Sequence, residues 1–99
     1  MCKEIQDSSF DIEVIDSDLP VLVDFFMPQC KHCPSVENKL EKVSNDGVKI
    51  VKMDVSKSPT TASKYSIMSV PTVMAFSKGR VSGMLTGVRG EMEYAAMID

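Results

Sequence analysis

Ninety-nine residues are enough for one domain, spanning 1–99, with a core that needs no disulfide staples. Eleven Lys and Arg against fourteen Asp and Glu leave a net charge of −3. That balance gives no footprint for nucleic acid or an anionic membrane, either of which would call for a clustered basic face, and no apolar run could span a bilayer.

The N-terminus lacks the apolar core of a secretory signal, so with Met1 as the native start the expected location is the cytoplasm. Structural disulfides are rare there, and a Cys-x-x-Cys pair reads as redox-active or metal-binding instead. Residues 3–6 fit a short edge strand. Asp7, Ser8 and Ser9 offer N-cap side chains, after which Phe10, Val14 and Ile15 follow helical spacing. That helix should stop before Leu19-Pro20, because the residue ahead of a proline disfavours helical backbone.

Residues 21–27 form the strongest strand candidate. They are apolar on both faces, as suits a central strand covered by helices, with Asp24 as the interruption. A helix is expected from Cys30, or the residue after it, to about Ser44. Val36, Leu40 and Val43 line its apolar stripe, while Glu37, Lys39, Glu41 and Lys42 fall outside it. Pro34 lies in the first turn, where proline is tolerated, and Asn45-Asp46-Gly47 ends the helix.

Residues 49–55 alternate as a strand, and 59–65 form a short helix with Ser58 as the expected cap. Residues 73–77 and 80–86 read as an antiparallel hairpin around the Lys78-Gly79 turn. Gly87 and Gly90 break the second strand, and 91–98 closes the chain as a helix. The predicted order is β-α-β-α-β-α-β-β-α, an α/β class whose early part alternates as parallel units do. No repeat or linker divides it.

The chemistry gathers at Cys30-Lys-His-Cys33. Two thiols where a strand gives way to a helix suit disulfide exchange, because unpaired amides and the helix dipole favour thiolate, the reactive form. Cys30, nearer the positive end, is the expected nucleophile, and Cys33 the thiol that resolves the mixed disulfide. Lys31 and His32 can both carry positive charge and would favour thiolate at Cys30. Asp24, in an apolar strand, should be buried with a raised pKa, able to accept the Cys33 proton. Structural zinc takes four ligands, usually from two paired clusters, whereas one Cys pair with His32 wedged inside it supplies too few. No metal is therefore assigned within one chain; ligands shared across a dimer remain open. Cys2 reads as an incidental thiol in a frayed terminus. Of the eight methionines, Met53, Met74, Met84, Met92 and Met97 are expected to fill core, while Met27 and Met68 could border a groove beside Cys30 and Pro71.

Taken together, several segments resemble the thioredoxin family across nearly the whole chain. They are Val21-Leu-Val-Asp-Phe-Phe-Met-Pro-Gln-Cys-x-x-Cys33, Val51-Lys-Met-Asp-Val55, Tyr65-Ser-Ile-Met-Ser-Val-Pro-Thr72, Phe76-Ser-Lys-Gly79 and Thr86-Gly87. The resemblance implies a thioredoxin fold, with a central mixed sheet flanked by helices on both faces. It also implies a cis peptide bond before Pro71, a Val70 backbone that binds substrate as an added strand, and a Gly87 that keeps the adjoining groove shallow. Lys52 matches the lysine that sits near the buried acid. Gln29 stands on the substrate side where the family has Trp, Phe26 where a second Trp is common, and Lys31-His32 where Gly-Pro is usual. A histidine before the second cysteine is closer to the oxidising and isomerising relatives.

The expected activity is protein-disulfide reduction through the Cys30/Cys33 dithiol by a monomer with no bound cofactor. Its partners would be disulfide-containing proteins, and its electrons would come from a flavin-dependent thioredoxin reductase. The alternatives are a disulfide donor or isomerase of raised potential, suggested by His32, and a redox-independent binding subunit.

Overall fold

The computed structural model describes residues 2–45 and 47–98. A five-stranded sheet in the order β1-β3-β2-β4-β5 is built from Lys3–Ile5 (β1), Val21–Phe26 (β2), Lys49–Asp54 (β3), Thr72–Ser77 (β4) and Arg80–Thr86 (β5). β1, β3 and β2 run parallel, whereas β4 and β5 are antiparallel, so the sheet is mixed. The α-helices are Cys33–Val43 (α1), Pro59–Lys64 (α2) and Glu91–Ala96 (α3).

β2 is central because its side chains satisfy two layers at once. Val21, Val23 and Phe25 pack with Phe10, Val14, Met53 and Phe76 on one side. Leu22 packs with Val36 and Leu40 of α1, Val73 and Ala75 of β4, and Tyr94 of α3 on the other. Alternation along a strand thus divides the core into two halves, each roofed by helix. Phe10, Tyr65 and Phe76 pack ring against ring, 5.4–5.7 Å between centroids, and tie the N-terminal segment to α2.

Several local expectations are corrected. The segment after β1 is a 3-10 turn, Asp7–Ser9, followed by a π-helical stretch, Asp11–Ile15, in place of an α-helix. Asp7 does not cap its own turn. Its carboxylate accepts the N–H groups of Thr60 and Thr61 at 3.0 and 2.8 Å, and so caps α2 from across the fold. Ser58, the expected cap, makes no capping bond, and its buried hydroxyl has no hydrogen-bond partner. Glu13 pins the π-helical stretch to the sheet through Lys3 at 2.8 Å and Lys49 at 2.6 Å.

α1 begins at Cys33, not Cys30, with His32 as its N-cap and Pro34 in its first turn. At its other end Gly47 N–H donates to Asn45 Oδ1 at 2.6 Å; Asp46, expected in this turn, lies outside the described residues. Met53 and Met74 are core residues as read, but Met84 and Met92 are exposed. Cys2 is buried instead of frayed.

Candidate active site

The parity that sends Leu22 toward α1 sends Asp24 the same way, and parallel register sets Lys52 of β3 directly beside it. Two residues before Glu4, the register partner of Lys52, stands Cys2. A strip of ionisable groups therefore runs across the sheet beneath α1. Asp24 is 1% exposed, and one of its carboxylate oxygens is buried without a hydrogen-bond partner. Burial, and then the charge of Glu37, push its carboxyl up to about 7, against an opposing pull from Lys52.

A cavity of about 300 Å³ opens at the end of β2 and includes Asp24, Cys30, Cys33, Glu37 and Lys52 in its lining. Four sequence-predicted residues thus meet in one space. Cys30 and Cys33 are joined as a disulfide, their Cα atoms 5.4 Å apart. Cys30 sits half-buried on the turn leaving β2, where its N–H donates to the Met27 carbonyl at 3.1 Å. Cys33, the first residue of α1, is buried. The first cysteine is therefore partly exposed and the second is not, because the strand-to-helix turn ends between them. Lys31 and His32 are exposed, as are Pro28 and Gln29 before them.

The apolar stripe of α1 predicts an outward Glu37, yet it is half-buried and accepts a hydrogen bond from the Lys52 ammonium at 3.0 Å. Its spacing was the available signal: a residue four places after Cys33 lies on the same helical face as the thiol. Cys2 was missed because a thiol near the chain start gave no cue that β1 would carry it beneath α1. Burial, then the charges of Glu37 and Asp24, push that thiol up to about 12. The ligand atoms of Cys2, Glu37 and Glu41 lie within 4.8 Å of one another, but Lys52 already brings a cation to Glu37.

The Val70–Pro71 peptide bond is cis. The Pro71 carbonyl accepts the Gly87 N–H at 2.9 Å, fixing the end of β5 to the start of β4. Gly87 has φ +79, a left-handed backbone that disfavours side chains, and a Cβ there would project into open space. Tyr94, fully buried on α3, accepts the Arg89 N–H at 3.0 Å and donates to the Gly87 carbonyl at 3.4 Å. A smaller hollow of about 140 Å³ is lined by residues including Met27, Met68 and Val70, with Met68 91% exposed. Met27 borders both spaces.

Comparison with known proteins agrees with this geometry. The family model described as Thioredoxin matches residues 1–99. The chain is 37% identical to the thioredoxin of Synechocystis sp. over 99 residues, covering 97% of this chain and 92% of that protein. It is 41% identical to the thioredoxin of Rickettsia bellii over 91 residues, covering 89% and 87%. It is 38% identical to thioredoxin C-2 of Corynebacterium nephridii over 96 residues, covering 94% and 89%. With the Cys30–Cys33 disulfide at its centre, the chain belongs to the thioredoxin family and is a thiol–disulfide oxidoreductase of the protein-disulfide reductase type.

Proposed function

We propose that Cys30 is the attacking sulfur and Cys33 the resolving one, with Asp24 as proton acceptor. The observation that carries this reading is the contrast in access: Cys30 half-exposed, Cys33 buried, and both opening on the cavity that contains Asp24. In the reduced protein the Cys30 thiolate attacks one sulfur of a substrate disulfide, and the first substrate sulfur leaves as thiolate. The ionised carboxylate of Asp24 then takes the Cys33 proton, and the Cys33 thiolate attacks Cys30 Sγ. The mixed disulfide breaks, the Cys30–Cys33 bond forms, and the second substrate sulfur departs. The substrate gains two electrons and, with protons taken up from solvent, becomes a dithiol.

Around this centre Lys52 tunes Asp24, while Lys31 and His32 stabilise the Cys30 thiolate. The backbone of Val70 binds the substrate chain as an added strand beside Pro71. Met68 and Gln29 border that path, and Gly87 leaves it open. The partners are disulfide-containing proteins and a flavin-dependent thioredoxin reductase that restores the dithiol; the chain works as a cytoplasmic monomer of one domain with no bound cofactor or metal. Among the described residues no helix is long and apolar enough to cross a membrane.

Insulin reduction driven by dithiothreitol tests the assignment. Wild type should accelerate precipitation of the insulin B chain, and Cys30→Ser should fall to the dithiothreitol background. Equal rates in the two would refute the role of Cys30. A redox-independent binding role would instead show as capture of the same partner after both cysteines become alanine.

A further inference from the structure

Lys52 lies in register with Asp24, the position from which an ammonium would neutralise the buried acid, yet it is held elsewhere. Its Nζ donates to Glu37 Oε1 at 3.0 Å and lies 5.3 Å from the centre of the Phe26 ring. Among the described residues no cation pairs with Asp24 directly, and its Oδ1 remains without a partner. Asp24, Phe26, Glu37 and Lys52 all border the cavity whose lining includes Cys33.

We propose that Glu37 is a positioning residue: by capturing Lys52 and adding its own charge, it sets the pH at which Asp24 exchanges a proton with Cys33. The idea rests on the reading of Asp24 as proton acceptor and extends it one residue further. The ionisable neighbours of Asp24 and Lys52 act within this frame, and on β1 Glu4, the register partner of Lys52, adds a further negative charge beside that ammonium. From α1 come Cys33 and Glu37, from β3 Lys52, from the N-terminal segment Cys2, and from α3 the Tyr94 hydroxyl, which senses the Asp24 charge. Of these only Lys52 is positive, and Glu37 determines where it points. Both partners are about a fifth exposed, so a simple stability role for the pair would be small.

The test is the titration of the Asp24 carboxyl, followed by carbon NMR of labelled aspartate in the oxidised protein. Glu37→Gln should move the Asp24 midpoint down by about one pH unit, a roughly tenfold loss of proton affinity. In a Lys52→Met background the same substitution should move it by less than half as much, because there is no ammonium to release. An unmoved Asp24 midpoint overturns the proposal, and equal shifts in the two backgrounds overturn the capture of Lys52.

A kinetic arm separates this from the underlying reading. When reduced protein meets an aromatic disulfide in stopped flow, the second thiol release reports Cys33 attack, and its pH inflection should move with the Asp24 midpoint. If the midpoint moves and the inflection does not, the role of Asp24 as base has failed, not the hold of Glu37 upon it.

Discussion

Asp24 and Lys52 are register partners on adjacent parallel strands, and no ion pair joins them. The folded protein consequently holds an acid whose pKa is raised from 3.8 to about 7, chiefly by burial. Between those values the folded chain keeps a proton that the unfolded chain has lost, so stability must fall as pH rises through this window and level off above it. A shift of about three units corresponds to roughly 4 kcal/mol as an upper bound. Asp24→Asn should therefore be more stable than wild type by about 2–4 kcal/mol on the alkaline side of neutrality and similar to it near pH 4. Urea denaturation of both oxidised proteins across this range checks the slope, and a flat wild-type profile would count against a neutral buried Asp24.

The unequal exposure of the two cysteines predicts a trap. Cys33→Ser should attack a substrate disulfide normally and then stall, accumulating an adduct through Cys30. Intact mass spectrometry after mixing with insulin or glutathione disulfide would show it. Stable adducts on Cys30→Ser instead would reverse the assignment of roles.

Lys31 and His32 stand exposed immediately before α1, on the same turn as Cys30. Positive charge there favours the thiolate and so makes the disulfide easier to reduce. The reduction potential should lie above the known thioredoxin value of about −270 mV, and His32→Pro should lower it by on the order of 30 mV, a tenfold change in equilibrium constant. Equilibration with glutathione measures both. A potential reaching about −120 to −180 mV would favour the disulfide-donor reading.

Asp7 carries a purely structural prediction. Two N–H groups at the start of α2 depend on its carboxylate, and Ser58 gives no replacement. Asp7→Ala should cost about 1 kcal/mol, lowering Tm by roughly 4–8 °C for a domain of this size. Asp7→Asn, which can still accept a hydrogen bond, should recover most of the loss. Thermal unfolding by circular dichroism distinguishes these outcomes.

Which features were legible in the sequence follows from the range of the forces involved. β2 announces itself because a strand buried on both faces must be apolar almost throughout, Asp24 being the exception, and the Lys78-Gly79 turn because Gly79 has a positive φ. Cys30 and Cys33 are equally plain, being tied by local spacing. The Asp7 cap joins residues more than fifty positions apart, a contact that no local pattern encodes. Glu37 looked solvent-facing because a charged residue outside the apolar stripe normally is; its orientation toward the cavity depends on Lys52 arriving from another strand. Met84 and Met92 defeated the composition argument, because hydrophobicity permits burial without requiring it.

A third thiol is a hazard in a catalyst whose intermediates are mixed disulfides, since any thiolate within reach can divert them. Cys2 is closed off on two counts: it is 7% exposed, and its pKa is pushed up to about 12. At neutral pH Cys2 is therefore held as the unreactive thiol. Burial beneath α1, seconded by the charge of Glu37, thus makes Asp24 hold its proton and also silences the odd cysteine, which insulates the enzyme from scrambling its own intermediates. Iodoacetamide should modify Cys30 readily in the reduced native protein and Cys2 only on unfolding.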